Sequence, residues 1–258
     1  MADIKQIKID NEIYDIIDVE VRTFMDKKKD YLLTYDEIDL RRARKDDNFE
    51  EIAKLIYQTD PYIYPFWFKD NIEEAKRVLP KYIAEPKFIY NYENMYIAYD
   101  KTNGHIVGLI CAIDHTMDLN FDYSELENSN PESAFIVKNY IKLLIEEVEK
   151  NKSMYIVNCC VDKEFRSKRI GTVMLGNFIK LMESAGYDTI EFDCLLHNVR
   201  AKNLYHSLGF KEMYTGIGFN GTENPTEPEI VFFKRKTGDS LLGEFKFDDS
   251  ILGPKKHR

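Results

Sequence analysis

The chain is 258 residues long and 44% hydrophobic, which suits one large domain with a sizeable core and argues against global disorder. Its net charge of −9 argues against a general nucleic-acid-binding protein and is compatible with a cationic substrate that carries an amine. No apolar run approaches the ~20 residues needed to span a bilayer, and no charged-then-apolar leader opens the chain, so we expect a cytoplasmic protein without a membrane partner.

The predicted elements begin with a polar, acidic extension, residues 1–37, in which isoleucines flank Asp10-Asn11-Glu12 and predict a small hairpin. This extension is a candidate arm for a homodimer. The main domain is predicted over residues 38–237, followed by a polar tail over 238–258. Its first elements are a strand over 38–43, a helix starting at Asp46-Asp47, a second helix over 71–84 and two strands joined by a turn at 101–104.

Two segments interrupt this series of elements. Residues 60–68, between the two helices, carry five aromatic side chains and two prolines, and we expect a loop whose rings close one end of the core. Residues 116–152 form an insertion that is longer than a simple connection between strands. It contains a polar loop over 118–129 and then an amphipathic helix whose apolar positions run from Phe135 to Val148.

The most informative stretch runs from Cys159 to Leu175 and comprises an apolar strand, a basic loop and a helix that begins at Ile170. A helix start leaves four N–H groups unpaired and carries about half a positive charge, so this joint suits a pyrophosphate. Gly171 has no Cβ in the first turn and would let an anion approach these N–H groups. The alternative is an ordinary strand–loop–helix joint with solvated charges. Alternation on the strand predicts Tyr155, Val157 and Cys159 on one face and Ile156, Asn158 and Cys160 on the other.

Four cysteines, at positions 111, 159, 160 and 194, lie in predicted strands without the spacing of a metal site. The adjacent Cys159 and Cys160 point to opposite faces of a strand and are poorly placed to form a disulfide. We therefore expect buried free thiols, as in a reducing compartment, and no bound metal.

The later elements carry the remaining candidate residues. In the predicted strand over 189–195, Glu191 and Asp193 share one face. The next helix begins near Asn198 and is ended by Gly209. Two last strands are predicted over 210–219 and 230–236.

Two motifs in this region are informative as a pair. The first is Arg166-Ser167-Lys168-Arg169-Ile170-Gly171, and the second is Asn198 with Tyr205 seven residues later, followed by Gly209-Phe210. In this order and at this separation they resemble the acyl-CoA-binding core of the GNAT family of N-acetyltransferases, clearly over residues 153–237. The resemblance implies an α/β fold, with a central mixed, mostly antiparallel sheet of about seven strands flanked by helices. It also implies acetyl-CoA as co-substrate and a primary amine of a small molecule or peptide as acceptor.

The resemblance implies binding roles for two groups of residues. Main-chain N–H groups of Cys159, Cys160 and Val161 would bind the pantetheine and the thioester carbonyl, provided that the strand is splayed from its neighbour. Asn198 would contact the pantetheine amide, or simply cap the helix that follows it. The pyrophosphate would bind at Arg166, Ser167, Lys168, Arg169, Ile170, Gly171 and Thr172.

The resemblance also implies catalytic residues. Tyr205 would protonate the leaving thiolate, because a phenol with a pKa of ~10 is well matched to a thiol of ~8.5, and the alternative is core packing. Asp193 lies where some family members carry a Glu that acts as the base; the alternative is a solvated carboxylate. Glu191 is the substitute base, and a water relay is open to both. Cys159 and Cys160 suggest a covalent route, but no His stands beside them in sequence and the family pattern implies direct transfer.

One departure from the family motif concerns Arg169, which replaces the first glycine of the loop. A Cβ there would crowd the ligand or require a strained dihedral, whereas the guanidinium could instead bind a phosphate oxygen. A second hypothesis is therefore a catalytically silent acyl-CoA sensor or scaffold. A third is a structural protein that assembles through residues 1–37 and 116–152. In the family context, residues 60–68 could also line the acceptor pocket, and the insertion could be a lid or cap a sheet edge.

Overall fold

The computed structural model describes residues 4–9, 12–17, 37–60, 63–68, 71–147, 152–166, 168–216 and 230–239. The strands are β1 (Ile4–Ile9), β2 (Glu12–Ile17), β3 (Ile38–Arg42), β4 (Met95–Asp100), β5 (Ile106–Ile113), β6 (Ser153–Val161), β7 (Thr189–Leu195), β8 (Lys211–Gly216) and β9 (Ile230–Lys236). The helices are α1 (Phe49–Thr59), α2 (Ile63–Trp67), α3 (Ile72–Ala84), α4 (Ser124–Ser129), α5 (Pro131–Glu147), α6 (Ile170–Ser184) and α7 (Val199–Ser207).

One seven-stranded sheet organises the structure, in the order β3–β4–β5–β6–β7–β9–β8. All neighbouring strands in it are antiparallel except β6 and β7, which are parallel. Helices flank the sheet, so the predicted α/β fold with a mixed, mostly antiparallel sheet of seven strands is confirmed. The parallel pair is where the candidate site lies.

The predicted hairpin near the start of the chain is confirmed. Strands β1 and β2 pair antiparallel, with Ile9 opposite Glu12, and form a two-stranded sheet of their own. Its suggested part in a homodimer stays a prediction, as does the division at residues 37 and 237. The predicted tail lies outside the described residues from position 240 onward.

Apolar side chains cover both faces of the large sheet. Helices α1 to α5 pack on the face that carries Ile97, Leu109 and Tyr155, which we call the α1 face. Helices α6 and α7 pack on the face that carries Ile110 and Ile156, which we call the α6 face. The sheet therefore separates two cores, and a side chain on β6 or β7 belongs to one or the other.

Three sequence expectations about connections need correction. The first long helix begins at Phe49, because Asn48 caps it, whereas Asp47 pairs with Arg41 at 2.6 Å. Part of the predicted loop over 118–129 folds as α4, and the aromatic segment contains α2 instead of a loop. Pro65 is tolerated in so short a helix because N–H groups of a first turn have no helical partner in any case.

The aromatic segment and the insertion both contribute to the core on the α1 face. Tyr64, Trp67 and Phe68 are buried there, and that these rings close one end of the core stays a prediction. Leu126 and Val137 of the insertion are buried in the same core. The described part of the insertion therefore packs into this core, and its roles as a lid or as a cap on a sheet edge stay predictions.

Candidate active site

The parallel strands β6 and β7 pair only at their first residues, Ser153–Tyr155 with Thr189–Glu191. Beyond these residues the structure gives them no further pairing, although β6 stays paired with β5 as far as Val161. The two strands therefore diverge toward their carboxyl ends, and among the described residues no strand pairs with the edge of β6 that faces β7 there. This is the splayed strand that a pantetheine-binding role for the main chain of 159–161 requires.

A β-bulge shapes the same part of β6. The pairing of β6 with β5 skips Val157, and the extra residue puts Asn158 and Cys160 on the α1 face together with Tyr155. The predicted strict alternation, which placed Asn158 and Cys160 opposite to Tyr155, is therefore wrong beyond the bulge. Cys159 lies on the α6 face, so the two adjacent cysteines do point to opposite sides as expected.

Helix α6 begins directly after the basic loop, next to the end of β6. Its N-cap residue, Arg169, makes no side-chain capping bond. The first N–H groups of the helix therefore receive no acceptor from a cap side chain, and the helix dipole adds a positive field at the same place. This arrangement suits the pyrophosphate of a nucleotide cofactor such as coenzyme A.

Two basic side chains of the loop, Arg166 and Lys168, contact neighbouring groups of the protein. Arg166 donates from Nε to the main-chain oxygen of Val161 at 3.0 Å, and Lys168 Nζ lies 4.9 Å from the ring centre of Phe165. Ser167 lies outside the described residues. The two cations thus border both the open edge of β6 and the start of α6.

Asp162 anchors this loop to helix α1. Its carboxylate accepts a hydrogen bond from Lys54 Nζ at 2.8 Å, and its main-chain N–H donates to Val107 at 2.9 Å. Burial acts to raise the pKa of Asp162, but the bonds from Lys54 and from the main chain of Glu164 hold that pKa below its usual value. Sequence reasoning did not select Asp162, because its partner is 108 residues away in the chain.

The backbone of Arg169 is left-handed, with φ of 59° and ψ of 9°. A residue with a Cβ is strained in this region by about 1–2 kcal/mol, whereas glycine is not. A side chain at this position, where the family motif has glycine, was expected to crowd the ligand or to require a strained dihedral. The strained dihedral is present.

Replacing Arg169 with glycine should stabilise the protein by roughly 0.5–1 kcal/mol, because relief of strain exceeds the extra entropy of the unfolded chain. The melting temperature should rise by about 2–4 °C per kcal/mol. Arg169→Ala is the matched control, since it keeps the strained Cβ and removes the charge. If the guanidinium binds phosphate, both variants lose affinity for acetyl-CoA. A glycine variant that melts at or below wild type contradicts the strain.

Gly171 lies where α6 packs against its neighbours. A Cβ on this residue would lie 3.2 Å from Cδ2 of Leu204 and 3.6 Å from Cγ2 of Val161. The missing Cβ thus allows α6 to pack closely against α7 and the end of β6, and its part in admitting an anion stays a prediction. Gly171 still belongs to the first turn, whose N–H groups are the candidate anion ligands.

Tyr205 lies on α7 at the place where β6 and β7 diverge. Its ring packs against Phe192 and Phe233, with centroids 4.4 and 5.3 Å away, and the residue is 8% exposed. Burial raises the pKa of Tyr205 well above its usual value, and the nearby thiols of Cys159 and Cys194 raise it further. The phenol therefore stays protonated at neutral pH, as a proton donor must, and also contributes to the core.

Asp193 is half-buried on the α1 face of β7, across the strand from Tyr205. Its Oδ2 accepts a hydrogen bond of 2.5 Å from the hydroxyl of Tyr155 on β6. Burial raises the pKa of Asp193 above its usual value, the bond from Tyr155 opposes this, and the charge of Asp60 at the end of α1 raises it further. The carboxylate of Asp193 is thus fixed by a hydrogen bond and has a raised pKa. Such a carboxylate suits the role of general base better than a fully solvated carboxylate does.

Glu191, the substitute base, and Asn198, the cap residue, both bond to other parts of the protein. Glu191 pairs with Lys234 of the neighbouring strand at 2.6 Å. Asn198 caps α7 by accepting from the main-chain N–H of Ala201 at 3.2 Å, which confirms the capping interpretation. Its contact with a pantetheine amide stays a prediction.

The cysteines near the site are free thiols. Burial raises the pKa of Cys159 and Cys160, and it raises that of Cys194 to about 12. A thiol of this kind holds its proton at neutral pH and is a poor nucleophile. Direct transfer therefore fits the site better than an acyl-cysteine route.

Across the described ranges, no three metal-ligating side chains gather, and no helix is long and apolar enough to cross a membrane.

Comparisons with known proteins agree with this geometry. The family model of the GNAT acetyltransferases matches residues 56–210. N-alpha-acetyltransferase 30 of Dictyostelium discoideum is 23% identical over 154 residues, which are 57% of this chain and 65% of the relative. The chain thus matches slightly less than two thirds of that relative's length.

Solved structures show the same fold. SsHAT superposes with a TM-score of 0.55 at 16% identity, over 79% of this chain and 100% of that one. An N-acetyltransferase from Staphylococcus aureus Mu50 has a TM-score of 0.51 at 18% identity, over 76% of this chain and 100% of that one.

Proposed function

The chain belongs to the GNAT family of acetyltransferases, and we propose that it moves the acetyl group of acetyl-CoA directly to a primary amine of a small molecule or peptide. One observation carries the proposal. The divergence of β6 from β7 brings an unpartnered strand edge, the Tyr205 hydroxyl and the start of α6 to one end of the sheet. Acetyl-CoA would use these three features to bind its thioester carbonyl, to protonate its leaving sulfur and to bind its phosphates, respectively.

In the proposed reaction a C–N bond forms as the amine attacks the thioester carbon, and the C–S bond breaks. Main-chain N–H groups at 159–161 would stabilise the carbonyl oxygen as it becomes negative. Asp193 would take a proton from the ammonium, and Tyr205 would give one to the thiolate. The nitrogen loses two protons in all and the sulfur gains one, so one proton is released for each acetyl group transferred.

The two proton-transfer residues lie on opposite faces of the sheet. Asp193 is on the α1 face with Tyr155, whereas Tyr205 is on the α6 face with Cys159. An amine on the α1 side and a thiol on the α6 side would thus meet across the gap between β6 and β7. This separation keeps the base away from the acid and supports a single direct step.

The test is release of free coenzyme A from acetyl-CoA in the presence of different amines. The panel contains peptides with a free N terminus, the same peptides with a blocked N terminus, and small mono- and diamines. The relative in Dictyostelium discoideum is named an N-alpha-acetyltransferase, which favours the peptides with a free N terminus. Release that depends on an amine, with the acetylated product seen by mass spectrometry, is the expected result.

The second candidate is an acyl-CoA sensor or scaffold without turnover, and the strained Arg169 favours it, because it replaces a residue that suits this backbone better. Such a protein would bind acetyl-CoA and release no coenzyme A with any amine. A purely structural protein would do neither. Binding and turnover together therefore separate the three hypotheses.

Acetyl-CoA should raise the melting temperature, because a ligand that binds only the folded state stabilises it by mass action. At a concentration 100 times Kd the gain is about 2.7 kcal/mol, or roughly 5–10 °C at 2–4 °C per kcal/mol. Coenzyme A should act similarly, whereas pantetheine, which lacks the pyrophosphate, should give a much smaller shift. The absence of any shift at millimolar acetyl-CoA would count against the whole proposal.

A further inference from the structure

A chain of buried polar side chains lies directly behind the bulge of β6. Asn158 donates from Nδ2 to the hydroxyl of Tyr64 at 3.0 Å, and that hydroxyl lies 2.5 Å from the hydroxyl of Tyr90. On the other side, the one hydroxyl proton of Thr59 is shared between two acceptors, which lie at 2.8 Å (Oδ1 of Asn158) and 2.9 Å (the main-chain oxygen of Leu55) from Oγ1. These bonds connect α1, α2, β6 and the segment before β4.

This chain of bonds is costly to place in an apolar core. Asn158, Tyr64 and Tyr90 are 2%, 3% and 0% exposed, and their neighbours are the rings and aliphatic side chains of the α1 face. A buried polar group that loses its partner destabilises the fold, whereas apolar side chains in the same space would need no partner. A hydrogen-bonded network, in contrast, favours one arrangement of the parts that it joins.

The parts that it joins are those that the proposed reaction needs. Asn158 is the residue that the bulge turns onto the α1 face, and it immediately precedes the open edge at 159–161. Thr59 immediately precedes Asp60, whose charge acts on the candidate base Asp193. The network therefore links the strand edge that would hold the thioester with the helix end on the acceptor side.

We propose that Asn158 and Tyr64 are positioning residues, whose hydrogen bond fixes the β6 bulge and with it the direction of the main-chain N–H groups at 159–161. This inference rests on the proposed function. The phosphates would be held separately, at the start of α6. Loss of the bond should therefore impair the chemical step and leave binding of the cofactor intact.

The first test is Tyr64→Phe, which removes the shared hydroxyl and keeps the ring that packs against Trp67. We expect kcat to fall by roughly 10-fold or more, since misdirected oxyanion donors lose much of their effect. The KM for acetyl-CoA and the thermal shift that it causes should stay within about 2-fold. Tyr96→Phe is the matched control, because Tyr96 is also a buried tyrosine but lies on strand β4 and packs on the α6 face, with the guanidinium carbon of Arg42 5.1 Å from its ring centre.

A double variant separates positioning from stability. Asn158→Leu combined with Tyr64→Phe removes both partners of the bond, and Thr59 keeps its bond to Leu55. No orphaned amide remains, so stability should recover relative to Tyr64→Phe alone. Turnover should stay low if the bond positions the strand. Recovery of turnover together with stability would overturn the proposal and leave a structural role only.

A readout independent of turnover distinguishes this inference from the proposed function. Backbone amide NMR signals of Cys159, Cys160 and Val161 should shift in Tyr64→Phe and stay in place in Tyr96→Phe. Unchanged signals in Tyr64→Phe would overturn the positioning role even if the wild type is active. If the signals shift in Tyr64→Phe but the wild-type protein transfers no acetyl group, the proposed function is rejected and the positioning of β6 by this bond is kept.

Discussion

Tyr205→Phe should lower turnover by roughly 10²-fold or more, the usual span for a lost general acid. The phenyl ring keeps the packing against Phe192 and Phe233, so the fold and the acetyl-CoA-induced thermal shift should persist. Because burial raises the pKa of Tyr205 well above its usual value, wild type carries the proton throughout the neutral range. The loss should therefore be nearly constant between pH 6 and pH 9, roughly, below the titration of the phenol.

The comparison must be made at saturating acetyl-CoA with an amine that wild type acetylates. Tyr96→Phe again serves as a control for the loss of a buried tyrosine hydroxyl on the α6 face. Equal turnover in Tyr205→Phe and wild type would leave Tyr205 as a packing residue alone. The thiolate would then leave unassisted or take its proton from water.

The elements that sequence reasoning predicted well are those with local signals. Helix α7 is capped by Asn198 and stopped at Gly209, whose φ of 82° requires glycine or a strained residue. Strand β7 has the predicted bounds, because its alternating apolar residues lie between two turns. The strained backbone at Arg169 was also within reach, since the family motif has glycine at that position.

The features that sequence reasoning missed depend on how distant strands align. The bulge at Val157 leaves no mark in an apolar run, yet it decides which face Asn158 occupies. Tyr155 and Asp193 are 38 residues apart, and their bond exists only because β6 and β7 stay paired up to Tyr155 and then diverge. The pattern of one sequence does not reveal the register of two parallel strands, so the sequence predicted only that Tyr155 is a strand residue.

Asp193→Asn should lower turnover by roughly 10²-fold or more, as expected for a lost general base. Unlike most losses at a core position, this one should come without loss of stability at neutral pH. The asparagine side chain has nearly the same shape, and its oxygen can still accept the hydrogen bond from Tyr155.

The sign of the stability effect follows from the raised pKa. The ordinary value is 3.8, and burial raises the pKa of Asp193 in the folded protein above it. The folded state therefore holds this proton more tightly than the unfolded state does, so this group favours folding below 3.8. That contribution is lost as the pH rises from 3.8 through the raised pKa. Above the raised pKa, the ionised carboxylate lowers the stability of wild type relative to a variant with a neutral side chain at this position.

Asparagine does not ionise, so at neutral pH Asp193→Asn should melt at the same temperature as wild type or above it. The difference in melting temperature should grow through the acidic range and then level off. Glu191→Gln is the companion variant, because Glu191 lies on the same face of β7 and is paired with Lys234 at 2.6 Å. Turnover lost in Asp193→Asn and kept in Glu191→Gln would assign the base to Asp193, and the reverse pattern would assign it to Glu191. Loss in neither would leave the amine to be deprotonated by solvent before it binds.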